Sequence, residues 1–171
     1  ELTIPISLEI TSSYTVDFQF HGCTKIKQIH FTKGTGTGCN YSYTKTPWYI
    51  SRTNEITVTL EEGITSIGNN MFKECAGLTG DIQELLPSTL TQIGANAFYG
   101  CSGITGDLIW DKNGAEFKNN AFNGCAGLTS FIITNDQETI PESAFYGCTG
   151  LKTVEILGSV STIGISAFYN C

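Results

Sequence analysis

One pattern constrains this chain more than any other. Phe stands three residues before Cys six times, at Phe20, Phe72, Phe98, Phe122, Phe145 and Phe168. The cysteines that follow are Cys23, Cys75, Cys101, Cys125, Cys148 and Cys171. From Cys75 onward the intervals are 26, 24, 23 and 23 residues, and Cys23 precedes Cys75 by 52, or two periods. Self-similarity at a spacing of about 20–50 residues marks an array of like units, none of which can bury its apolar face alone.

Other positions keep the same beat. Five residues before the last five Phe stand Ile67, Ile93, Phe117, Ile140 and Ile163. Just before those Phe come Met71, Ala97, Ala121, Ala144 and Ala167. Three residues after Cys come Ile26, Leu78, Ile104, Leu128 and Leu151. Short alternating stretches follow, such as Ile29-His30-Phe31, Phe131-Ile132-Ile133 and Val154-Glu155-Ile156. The unit reads I-G-x-x-A-F-x-x-C-x-x-L-x-x-[VF]-x-I. Its last part matches the strand half of a leucine-rich repeat, L-x-x-L-x-L, and a propeller blade would need about 40 residues. The expected fold is a β-rich α/β solenoid. Strand lies on strand in a parallel sheet at about 4.8 Å, and Phe lies on Phe. Helix is expected only in short segments near each A-F-x-x-C.

Segments such as Ile93-Gly94-Ala95-Asn96-Ala97-Phe98-Tyr99-Gly100-Cys101 resemble the BspA-type leucine-rich repeats of bacterial and some protist surface proteins. So do Pro47-Trp48-Tyr49, the stretch from Val58 to Phe72, and L-T-G-D at Leu78 to Asp81 with its variant Ile104 to Asp107. The resemblance spans residues 20–171. It implies a right-handed, secreted or surface-anchored solenoid used for adhesion and protein binding. No shared catalytic residues and no cofactor come with it, and family members bind varied partners.

Residues 1–19 do not match the unit. Their alternation, Leu2, Ile4, Ile6, Leu8, Ile10 and then Val16, Phe18 and on to Phe20, predicts strands that cap the open end of the stack, as solenoid ends require. Residues 20–171 are the repeat region. Within it, at about 32–60, a degenerate repeat carries an inserted loop. That loop holds a Gly/Thr run, Cys39 and the aromatic group Tyr41, Tyr43, Trp48 and Tyr49. Ile56, Val58 and Leu60 are its expected strand. Glu1 is not a start Met and no leader follows it. Cys171 falls in mid-repeat, so the expectation is that the natural chain continues or leaves its last unit open.

Charge excludes one class of partner. The formal net charge is −7, which argues against nucleic acid, whose phosphates are neutralised by basic residues. The longest apolar run is three residues, for example Leu108-Ile109-Trp110, whereas a membrane span needs about 20. The seven cysteines include no C-x-x-C, so the usual zinc and thioredoxin signatures are missing. The periodic ones are expected to form a reduced ladder of small buried residues. A bridge needs Cβ atoms about 3.8 Å apart, closer than one strand spacing. Cys39 stays open between a free thiol and a bridge to Cys23. His21 sits where other units place Lys73, Tyr99, Asn123, Tyr146 and Tyr169, and His30 is an outward strand residue. Neither stands in a known nucleophile pattern. Asp81 and Asp107 follow Thr-Gly and read as turn formers, as does Glu61-Glu62-Gly63. No calcium-loop pattern appears. Asn40-Tyr41-Ser42 is a glycosylation sequon.

Alternation sends every second strand residue outward. One expected column holds Gln28, Thr57, Ser130 and Thr153, and the next holds His30, Thr59, Ile132 and Glu155. With Tyr41 and Tyr43 these form the candidate binding surface. The expected function is a non-catalytic, extracellular module that engages a host or neighbouring-cell protein or glycan. The alternative is a passive spacer in a larger surface protein.

Overall fold

The computed structural model describes residues 1–5, 25–32, 38–39, 55–111 and 114–171. The early strands are β1 (Leu2–Pro5), β2 (Gln28–Thr32), β3 (Gly38–Cys39), β4 (Ile56–Leu60), β5 (Ser66–Ile67) and β6 (Leu78–Asp81). A single helical turn, α1 (Ile82–Leu85), follows β6. Then come β7 (Gln92–Ile93), β8 (Ile104–Trp110), β9 (Glu116–Phe117), β10 (Gly127–Ile133), β11 (Thr139–Ile140), β12 (Thr153–Ile156) and β13 (Thr162–Ile163).

These strands make a parallel solenoid. The main sheet has the order β1-β2-β4-β6-β8-β10-β12. A second sheet runs β3-β5-β7-β9, and β11 pairs with β13. Among the described residues every pairing is parallel. Ile29 is in register with Val58, and Phe131 with Val154. Equivalent apolar residues therefore meet coil after coil and close a continuous core between the two sheets. β1 lies along β2 at the outer edge of the main sheet, with Leu2 in register with Ile29. The rest of the expected cap, residues 6–19, lies outside the described residues, as do Phe20, His21 and Cys23. The degenerate unit forms its strand as expected, with Ile56 and Val58 buried.

The Phe ladder is the spine of the core. Ring centroids are 5.4 Å apart for Phe72 and Phe98, 5.6 Å for Phe98 and Phe122, 5.4 Å for Phe122 and Phe145, and 5.3 Å for Phe145 and Phe168. The last three pairs are within 8° of parallel. Phe117 crosses Phe122 edge-on at 5.8 Å and Trp110 at 5.2 Å. Edge-to-face geometry suits the ring quadrupole.

The A-F-x-x-C segments are turns, not the short helices expected from sequence. The backbone alternates in hand there. Asn70, Asn96, Asn120, Ser143 and Ser166 have φ between 53° and 59°. A second left-handed residue follows four positions later, at Glu74, Gly100, Gly124, Gly147 and Asn170. This alternation sends successive N–H groups in different directions. Phe98 donates to the carbonyl of Ala121 in the next coil, at 2.8 Å, and Gly100 to that of Asn123, at 2.7 Å. Alternating with them, Tyr99 and Cys101 donate back within their own turn, to Asn96 and Phe98 at 3.1 Å each. A continuous helix would direct all its N–H groups along its own axis and leave the next coil without a partner. Left-handed backbone disfavours most side chains, and Gly, Asn and Asp tolerate it best.

The one described helix lies elsewhere. Asp81 caps α1 by accepting from the Gln83 N–H at 2.8 Å, and Ile82 and Leu85 are buried. Asp81 is thus a helix cap rather than a turn former. Asp107 lies within β8, which also differs from the expected turn. Gly106 lies against the Asp81 carboxylate with φ at 94°, a backbone that glycine adopts without strain. The Glu62–Gly63 turn forms as expected, with Gly63 at φ 97°.

Phe122→Ala removes a ring stacked on both sides and should cost about 3–5 kcal/mol in urea unfolding. Asn96→Gly should be near neutral, whereas Asn96→Val should cost about 1–2 kcal/mol, the penalty of left-handed backbone. Equal effects of the two Asn96 substitutions would contradict this account of the turn.

Candidate functional site: the outward face of the main sheet

Register decides which distant residues become neighbours. Gln28 lies beside Thr57 and His30 beside Thr59 across β2 and β4. Ser130 lies beside Thr153 and Ile132 beside Glu155 across β10 and β12. Gln28, Thr57, Thr59, Thr153 and Glu155 are exposed, whereas His30 and Ile132 are half-buried. The His30 ring Nδ1 and the Thr59 hydroxyl share a hydrogen bond. Tyr41 and Tyr43 lie outside the described residues, as do Trp48 and Tyr49.

Ser130 departs from its expected role. Only 8% of it is exposed. Its hydroxyl donates to Asp107 Oδ1 at 2.6 Å, and the Thr129 hydroxyl donates to the same oxygen at 2.6 Å. Asp107 covers Ser130 because β10 shifts register between Leu128 and Ser130, setting Ser130 against Asp107. The two hydroxyl donors, Ser130 foremost, hold the Asp107 carboxyl below its ordinary value. The surface feature at this point is therefore Asp107.

The two columns do not run unbroken across the sheet. In the coil between β4 and β8, α1 takes the place of the outer half of the strand. Its Gln83 side chain completes the ladder by accepting from the Ile109 N–H at 3.1 Å. Asp107 and Ile109 are the outward residues of β8, next to Ser130 and Ile132. Sequence reasoning missed both, because the Thr-Gly-Asp insert hides the strand register. The signal that could have placed them is Leu108 and Trp110, whose burial fixes Asp107 and Ile109 as the alternate residues.

The thiols form a different kind of array. Cys101 Sγ donates to the Phe72 carbonyl at 3.0 Å, and Cys125 to Phe98 at 3.2 Å. Cys148 donates to Phe122 at 3.1 Å, and Cys171 to Phe145 at 3.2 Å. Each thiol thus reaches the Phe carbonyl of the preceding coil. These cysteines are hydrogen-bond donors and not only small apolar fillers. Cys101, Cys125 and Cys148 are buried thiols, and Cys171 is an exposed one. Burial pushes the Cys101 and Cys125 thiols well above the usual value and Cys148 to about 12. The side chain of Cys39 lies outside the description. Among the described residues no three His, Cys, Asp or Glu side chains gather as a metal site would require. No described helix is long and apolar enough to cross a membrane.

A stack of parallel coils with a Phe–Cys turn per unit and an open outward sheet defines a leucine-rich-repeat solenoid. A family model described as the BspA type leucine-rich repeat region, in 6 copies, matches residues 1–79 and 48–171, and the chain belongs to that family. Such families are consistent with protein-binding repeat modules. No curated protein matches the sequence. Among solved structures, a leucine-rich repeat protein of T. pallidum is 17% identical with a TM-score of 0.70 over 99% of this chain and 70% of its own. One from Bacteroides ovatus is 26% identical, with a TM-score of 0.67 over 88% of this chain and 36% of its own. A leucine-rich cell surface protein of Faecalibacterium prausnitzii is 24% identical, with a TM-score of 0.56 over 99% of this chain and 45% of its own. The first and third likenesses are of fold alone.

Native-state alkylation at about pH 8 should modify Cys171 before Cys101, Cys125 and Cys148, because the reactive thiolate is disfavoured in an apolar stack. Mass spectrometry would detect a Cys101–Cys125 bridge, which contradicts the ladder. A thiol held above its unfolded value keeps its proton after the unfolded chain has lost it. Its contribution to stability is therefore whole below about pH 8.5 and falls as pH rises toward the folded value, about 12 for Cys148. Melting temperature should drop across that window, and the drop should be shallower in Cys148→Ser.

Proposed function

We propose that this chain is a non-catalytic binding module, secreted or held at a cell surface, that engages a protein or glycan of a host or neighbouring cell through the outward face of its main sheet. The observation that carries this reading is the register. It sets outward side chains from sequence-distant coils side by side, Gln28 with Thr57 and Ile132 with Glu155. The seven described strands of the main sheet at about 4.8 Å span roughly 29 Å. That is wide enough for a standard interface, about 800 Å² per partner. Parallel pairing on both flanks of β2, β4, β8 and β10 makes that part of the face a fixed template, so little ordering entropy is lost on binding. The surface location draws on the family and on the Faecalibacterium prausnitzii neighbour, itself described as a cell surface protein.

The test is a binding screen against extracellular-matrix proteins and glycans. Thr57, Thr59, Ile132 and Glu155 are then changed together to Lys, with circular dichroism to confirm the fold. A hit should weaken by about tenfold or more, as loss of central contacts does. Binding that survives this change but disappears with Tyr41→Ala and Tyr43→Ala places the site on the aromatic loop. No saturable hit at all favours the spacer.

A further inference from the structure

The outward face is not uniform. Across β2 and β4 it is polar, with Gln28, His30, Thr57 and Thr59. Across β8 and β10 two isoleucines interrupt that polarity. Ile109 is in register with Ile132, and Ile109 is 37% exposed. The core does not need them, because the inward positions are already filled by Leu108, Trp110, Phe131 and Ile133, all buried. An apolar pair that the fold does not use lies on the surface.

Carboxylates surround the pair. Asp107 stands in the adjacent column beside Ser130, and Glu155 lies in register with Ile132. Beyond the strand ends, Glu84 and Asp111 line a cleft of about 580 Å³ together with Leu60, Gln83, Leu86 and Pro87. The cleft adjoins Ile109, since Gln83 is the residue that accepts from its N–H. Helix α1 and strands β8, β10 and β12 carry no Lys or Arg. Lys152 precedes β12, at the opposite ends of the strands. Asp107 keeps its charge to low pH because two hydroxyls donate to it. An apolar centre with an anionic surround is complementary to one kind of occupant.

Resting on the reading of this face as a binding surface, we propose that it docks an extended protein segment that lays an apolar side chain over Ile109 and Ile132 and brings Lys or Arg to Glu84, Asp107, Asp111 and Glu155. Removing water from Ile109 and Ile132 supplies the apolar attraction. The carboxylates set partner choice and association rate, which makes binding dependent on salt.

The test uses fluorescence anisotropy with three labelled heptapeptides: alternating Lys-Val, alternating Glu-Val and alternating Lys-Ser. The Lys-Val peptide should bind saturably and at least about tenfold tighter than either control. Ile109→Ser with Ile132→Ser should weaken it about tenfold. Glu84→Gln with Asp111→Asn should weaken it and flatten its salt dependence between about 20 and about 150 mM. Glu116→Gln with Glu138→Gln removes the same net charge away from this face and should leave it unchanged. Equal loss from that control pair, equal binding of the three peptides, or no saturation by about 1 mM overturns the proposal. A screen hit lost on the fourfold Lys change, with no Lys-Val binding, keeps the face as a site and removes only this partner chemistry. A hit that survives the fourfold change removes the face itself and this proposal with it.

Discussion

Every coil of this protein leaves backbone groups and an apolar face that only its neighbour can complete. The Phe–Cys turn shows this most directly. The Phe98 carbonyl accepts the Cys101 N–H from its own turn and the Cys125 thiol from the next coil. The Phe98 N–H meanwhile donates forward to Ala121. A buried carbonyl or N–H without a partner costs about 1–3 kcal/mol, so a lone unit is unstable and a stacked one is not. Stability is then a sum of nearest-neighbour terms. The stacked Phe rings, the alternating-hand turns and the thiol rungs are three expressions of one requirement, that each coil match the next.

That requirement frees the outward face. Inward positions are committed to the core, left-handed positions mostly to Asn, Ser or glycine, and Cys101, Cys125, Cys148 and Cys171 to the Phe carbonyls. The outward strand residues carry none of these duties. Thr57, Thr59, Ile109, Ile132 and Glu155 occupy such positions. Their arrangement is nonetheless rigid, because the strands beneath them are held by parallel ladders. A binding surface built this way separates recognition from stability, and residues far apart in sequence act as one patch.

The middle of the sheet shows where periodic logic gives way to local chemistry. Thr-Gly-Asp in two successive units inserts residues into the strand. In one unit Asp81 starts a helical turn, and in the next Asp107 remains in the strand and takes the Ser130 and Thr129 hydroxyls. Gly106 lies between the two with its backbone at φ 94°, a conformation that suits glycine and disfavours other side chains. The result divides the outward face into a polar part over β2 and β4 and an apolar, acid-bordered part over β8 to β12.

Much of this was legible in the residues themselves. The Phe–Cys period, the Leu and Ile positions and the alternation in Ile29–Phe31 and Phe131–Ile133 determined a parallel solenoid with Phe stacked on Phe, because a unit that short has no other way to bury those side chains. The same alternation placed Gln28 beside Thr57 and Ile132 beside Glu155. Three things were decided only in the folded structure. Asn96 and Asn120 take left-handed backbone, which Asn tolerates and which the bonds to the next coil select. The cysteine became a donor to a Phe carbonyl 26 to 29 residues earlier, a partner that exists only after stacking. Ser130, outward by its period, is covered by Asp107 because a register shift in β10 depends on how β8 accommodates its insert. Periodicity specifies which residues recur and face the same way. Hydrogen-bond partners between coils, and the slips that irregular units impose, are properties of two coils together and appear only when they meet.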